Sequence, residues 1–155
     1  MKLLPIICFG LMCFISSSFA GTCADISGTY VLDDQLVQRY KQKGCEALAR
    51  DLGSMTSDGK VGYPNDPTEI KLDGTPLCDK DNKCEAAEQG PTSLDFSFNF
   101  DQKVVAEKHG ICTFRKFSLS PDGMGNLRTA FSVTNCHRDR YSGIVQGFLL
   151  RYRGE

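Results

Sequence analysis

Leu94, Phe96, Phe98 and Phe100 alternate with Asp95, Ser97 and Asn99. An apolar period of two is the pattern of a half-buried strand, whose successive side chains point to opposite faces. Three later segments repeat it. Thr113, Arg115, Phe117 and Leu119 share one predicted face, and Leu127, Thr129, Phe131 and Val133 share another, with Arg128, Ser132 and Thr134 opposite. Ile144, Gln146, Phe148, Leu150 and Tyr152 form the last. Between the second and third lie Pro121, Gly123 and Gly125, where proline presets φ and glycine accepts positive φ. Those two strands therefore read as a hairpin.

The first half carries shorter signals. Gly28-Thr29-Tyr30-Val31-Leu32 has β-rich composition. Glu69 to Leu72, followed by Asp73-Gly74, predicts a strand entering a tight hairpin. Asp79 to Lys83 reads as a reversal between Pro76-Leu77-Cys78 and Cys84 to Ala87, and Ser57 to Pro67 as a loop. Residues 36–52 fit two descriptions. Leu36, Tyr40, Gly44, Leu48 and Leu52 recur at helical spacing, with Asp33 or Asp34 as cap and Gly53 as stop. Gly44 in a helix interior costs about 1 kcal/mol relative to Ala, and Lys43-Gly44 can turn a hairpin instead. The β-hairpin is the expectation, with a short helix at 36–52 as the open alternative. The resulting fold is mainly β: an antiparallel up-and-down barrel or meander of about seven to eight strands, or a sandwich. No βαβ pattern, internal repeat or linker divides the chain.

The N-terminus reads as an export signal. Lys2 precedes an apolar run from Leu3 to Ile15, and Ser16 to Ala20 is polar and small, so cleavage is expected after Ala20. The apolar run is too short to span a membrane, which takes roughly twenty residues. Ala20-Gly21-Thr22 before Cys23 lacks the Leu of a lipidation motif. Residues 21–155 are then a single domain, secreted or periplasmic, without a membrane anchor, and expected to be a monomer.

Cys8 and Cys13 leave with the signal. Cys23, Cys45, Cys78, Cys84, Cys112 and Cys136 stay, and in an oxidising compartment an even set of thiols implies disulfides. Hairpin geometry narrows the pairings. A turn centred on Met124 sets Phe117 opposite Phe131, Leu119 opposite Thr129 and Cys112 opposite Cys136. Centring the other reversal on Asp81 sets Cys78 opposite Cys84. Opposed residues lie within disulfide reach, and Cys23 is left with Cys45.

Chemistry is sparse. Without Lys2 the 18 basic side chains fall by one against 19 acidic ones, a balance that gives no reason to expect nucleic acid as partner. Arg138, Arg140, Arg151 and Arg153 gather near the end with nothing Gly-rich beside them. No Cys-x-x-Cys, nucleophile elbow, His-Glu-x-x-His or phosphate loop occurs, so neither metal nor cofactor is expected. His109 and His137 are the two neutral-pH bases and carry no motif. Asp79-Lys80-Asp81-Asn82-Lys83 has Lys at a ligand position and lacks the glycine and closing glutamate of a calcium loop, so it is read as a turn. Asp33 with Asp34, or Glu85 with Glu88, could form an acid/base pair, but carboxylates on a solvated face are the simpler reading.

Cys23-Ala24-Asp25-Ile26-Ser27-Gly28-Thr29-Tyr30 resembles the first strand of the calycin barrels, the lipocalins and avidins, in which Gly-x-Trp opens the barrel. Tyr30 stands in the Trp position, and the lipocalin Thr-Asp-Tyr signature is missing. The resemblance implies an up-and-down barrel with a cavity open at one end and Tyr30 at its floor. The first functional expectation is therefore an exported, non-enzymatic binding protein for a small apolar ligand. Tyr30, Phe96, Phe98, Phe117, Phe131 and Phe148 are the candidate lining. The alternative is a secreted interaction or inhibitor protein with a filled core and a protein partner. A hydrolase is the least supported reading.

Overall fold

A computed structural model describes residues 23–154, so the export signal and its cleavage site lie outside the described residues. Among the described residues the regular elements are all strands. They are β1 (Gly28–Leu32), β2 (Leu36–Lys43), β3 (Ala47–Met55), β4 (Val61–Gly62), β5 (Thr68–Lys71), β6 (Leu77–Cys78), β7 (Cys84–Gln89), β8 (Leu94–Ala106), β9 (Gly110–Pro121), β10 (Leu127–Thr134) and β11 (Gly143–Gly154). Eleven strands replace the expected seven to eight, because β4 and β6 are two-residue ladders inside segments read as loop and turn.

All pairings are antiparallel, in the order β4-β3-β2-β1-β11-β10-β9-β8-β7-β6, with β5 on the outer edge of β3. The path is open. Its flanks meet only through an isolated bridge, Asp73 to Glu88, beside a hydrogen bond from Gly74 N–H to the Ala87 carbonyl at 2.9 Å. Side chains span the same seam: Arg50 on β3 pairs with Glu85 on β7 at 3.0 Å, both largely buried. One apolar core lies between the flanks, drawing Tyr30, Tyr40, Leu48 and Ile70 from one and Ala87, Phe96, Leu119 and Leu127 from the other. Burial of this common face against water is what bends the sheet back on itself.

Residues 36–52 form the hairpin. β2 and β3 pair from Leu36↔Ser54 to Lys43↔Ala47, and Gly44 turns it at φ 56°. The hairpin expected at Asp73-Gly74 does not form, since β5 pairs back to β3 and β6 pairs forward to β7. Leu127, Thr129, Phe131 and Val133 are buried along β10, as their alternation predicts.

Two neighbouring strands depart from simple alternation at bulges, where an extra residue re-aims every side chain beyond it. On β9 the extra residue is Arg115: Ser132 faces Lys116 but Val133 faces Phe114. Phe114 and Cys112 therefore join Leu119 inside, and Thr113 and Arg115 do not. On β11, Gly147 and Phe148 together oppose Thr129. Val145 and Leu150 are buried, whereas Ile144, Phe148 and Tyr152 are exposed, against the single face expected for them. Thr129 knits the bulge: its hydroxyl accepts the Phe148 N–H at 2.6 Å and donates to the Phe148 carbonyl at 3.0 Å.

Three disulfides are present: Cys23–Cys45, Cys78–Cys84 and Cys112–Cys136. Cys78 and Cys84 are register partners. Cys112 and Cys136 are not, because the Arg115 bulge slides the ladder by one residue and Cys136 lies just past β10; the loop after it carries the thiol back.

Candidate functional site

The candidate ligand residues from the sequence are brought together in part. Phe96 stacks on Phe117 with centroids 4.6 Å apart, and Phe117 also stacks on Phe98 at 5.8 Å and on Phe131 at 5.9 Å. Phe131 meets Phe148 edge-on at 6.0 Å. The rings spend their faces on one another, filling space that a ligand would need. Tyr30 lies apart, between Tyr40 and Tyr152, and its hydroxyl donates to the Ile26 carbonyl at 3.1 Å. Burial pushes its phenol up to about 12. Tyr40, buried deeper, is raised by desolvation as well.

The carboxylate candidates separate too. Glu85 is buried against Arg50, and burial raises its carboxyl while Arg50 opposes that rise. Glu88 is exposed and borders an outer cleft of about 260 Å³ with Asp95 and Lys116, so the two do not converge. Asp33 and Asp34 turn the β1–β2 hairpin at positive φ and stay exposed. Asp79 accepts the N–H groups of Asp81 at 2.8 Å and Lys83 at 2.9 Å, which holds it as a turn residue. Among the described residues no group of three or more His, Cys, Asp or Glu is placed to hold a metal ion.

The feature that stands out is a distal lobe. β8 makes its ladder to β7 only as far as Phe98, and β11 makes its ladder to β1 only as far as Arg151. Beyond those points β8, β9, β10 and β11 continue as four strands around a second core of Val104, Cys112, Phe114, Val133, Cys136 and Val145. Phe117 packs against both cores and joins them. The irregularity between Ser97 and Gln102 is where β8 turns from the main body into this lobe. The lobe thus has two unpaired edges, one on β8 and one on β11, and a cleft of about 470 Å³ lies between them. Val105 and His109 border it on one side, Ile144, Gln146 and Phe148 on the other.

Apolar side chains stand out of this lobe. Val105 is 72% exposed, Ile111 54%, Ile144 60% and Phe148 41%. A second cleft, of about 270 Å³, places Phe148 and Leu149 beside the Asp33-Asp34 turn and Arg151. The tip of the β8–β9 hairpin is held firmly in place. His109 Nδ1 lies 2.6 Å from an Asp139 carboxylate oxygen, and the Tyr141 ring stacks on the imidazole at 4.0 Å. That hydrogen bond is the main reason the Asp139 carboxyl is held below the usual range. Arg138 Nη1 donates to the carbonyls of Glu107 and Lys108, both at 3.2 Å, and the His137 N–H donates to the Ile111 carbonyl at 2.8 Å. Disulfide Cys112–Cys136 adds a covalent tie.

Sequence reasoning passed over Val105, Ile111, Asp139 and Tyr141. The available signal was Val104-Val105-Ala106 and Ile111 flanking Lys108-His109-Gly110, a hairpin in miniature. No protein-family model, curated protein or solved structure matches this chain.

Proposed function

We propose that this chain is an exported, non-enzymatic protein whose barrel-like body carries a binding lobe for protein partners. The observation that carries the reading is the contrast within one molecule. The main core is filled by its own rings, while Val105, Ile111, Ile144 and Phe148 stand exposed on a lobe with two unpaired strand edges. Exposed apolar groups beside free backbone donors and acceptors favour an extended polypeptide as ligand. The common core and the Asp73–Glu88 bridge support the barrel-like description. Three disulfides accord with an oxidising compartment outside the cytoplasm. The small apolar ligand expected from the calycin resemblance loses support, because its candidate rings stack on one another.

Native mass spectrometry of the protein from its natural source tests this. The expected result is a retained protein partner, lost from a doubly substituted Ile144→Lys, Phe148→Ser chain whose circular dichroism is unchanged. A retained small apolar molecule, or no partner at all, overturns the reading.

A further inference from the structure

We infer that the free edge of β8 docks against the β8 of a second copy of this chain, giving a two-fold symmetric dimer in place of the monomer expected from sequence. The inference rests on the lobe being an association surface, and it names the partner.

Proteins usually blunt a free strand edge with proline, inward charge or a covering loop. After the irregularity that ends at Gln102, β8 has none of the first two: Lys103-Val104-Val105-Ala106-Glu107 holds no proline, and its two charged side chains are exposed. Antiparallel pairing of two identical strands is defined by the residue on the symmetry axis. With Val105 on the axis, Val104 faces Ala106 of the second copy and Lys103 faces its Glu107. Two-fold symmetry makes the charge pair twice. Directly opposed unlike charges stabilise a strand pair, and like charges oppose it. Moving the axis to Val104 sets Lys103 against Val105, and moving it to Ala106 sets Glu107 against Val105. Either shift leaves both charges without partners, so the charges select one register.

The outer face agrees with that register. Ile111 is the β9 partner of Val105. Pairing about Val105 therefore builds an uninterrupted row across four strands: Ile111, Val105, then Val105 and Ile111 of the second copy. The two most exposed apolar side chains at this hairpin, at 72% and 54%, cover one another. Symmetric self-complementarity of one patch is what a two-fold interface requires. A strand pair this short buries little area, so the dimer belongs with weak, concentration-dependent complexes, dissociating at about 10 µM to 1 mM.

Sedimentation of the exported chain over that concentration range tests the inference. The wild type is expected to shift from monomer to dimer. Lys103→Glu alone and Glu107→Lys alone are each expected to weaken association at least about tenfold, since each sets like charges face to face. An equimolar mixture of the two variants is expected to dimerise, because each contributes the charge the other lacks; this restoration also shows that both are folded. Val105→Asp, with two carboxylates meeting on the axis, is expected to remain monomeric. A wild type that stays monomeric up to about 1 mM, or a mixture that fails to associate, overturns the inference. If the monomeric protein still carries a foreign protein from its source, self-docking fails while the binding role of the lobe stands; if it carries none, both fall.

Discussion

The imidazole of His109, at the tip of the β8–β9 hairpin, is 2.6 Å from the Asp139 carboxylate in the connection between β10 and β11. The pair closes the same loop that Cys112–Cys136 closes covalently. The tip is thereby a rigid support for Val105 and Ile111 rather than a frayed end.

Asp139→Asn is expected to loosen the tip without unfolding the body, read as faster amide exchange at residues 107–111. The carboxyl is held low in the folded chain. Its contribution is therefore present above the ordinary Asp value of about 3.9 and is lost as pH falls through its lower folded value. Wild type and variant should differ at neutral pH and converge under strong acid. Equal exchange at neutral pH would refute the tie.

Replacing Cys112 and Cys136 together by Ala opens a loop with a sequence separation of 24. Chain entropy sets the loss at about 3.5 kcal/mol, measurable by denaturant unfolding under non-reducing conditions. A loss under about 1 kcal/mol would mean that the hydrogen bonds of Arg138 and His137 hold the lobe unaided.

Gly147→Ala should destabilise through overpacking, by about 1 to 3 kcal/mol. A methyl at that position meets the Phe131 ring and the Thr129 hydroxyl, the group that knits the β11 bulge. Gly62→Ala is the control, since nothing lies near its added carbon. Thermal unfolding should separate the two; equal melting temperatures would count against a tight bulge.

Arg50→Met leaves Glu85 buried without its cation, with an expected loss of about 3 to 5 kcal/mol. Burial already raises the Glu85 carboxyl, and removing Arg50 takes away the group that opposes the rise. A raised carboxyl is uncharged at acidic pH and costs stability as pH climbs, so the loss should be smaller near pH 4 than at pH 7. Adding Glu85→Leu should recover most of the stability at neutral pH. Failure to recover would show that the pair does more than neutralise itself at the seam between β3 and β7.

Much of the strand content was legible in the chain because it is local. The β10 alternation needs only nearest-neighbour geometry, and the Cys78–Cys84 pair needs only a short reversal. The β2–β3 hairpin was legible in part, where Lys43-Gly44 could turn but the same residues also fit a helical spacing. What the chain did not disclose are the positions of Arg115 and Gly147 as extra residues, since a bulge is defined by the strand opposite. Nor could it disclose that β1 pairs with β11, or that Arg50 meets Glu85, because both contacts join distant segments around a common core.

The residue pattern by itself determined an antiparallel, thiol-rich β protein, because side-chain period and turn chemistry act over a few residues. Only the tertiary structure decided that the aromatic rings are spent on one another and that Val105, Ile111, Ile144 and Phe148 are left outside. Whether an apolar strand residue is core or surface depends on where its neighbouring strands stop, and no local rule contains that length.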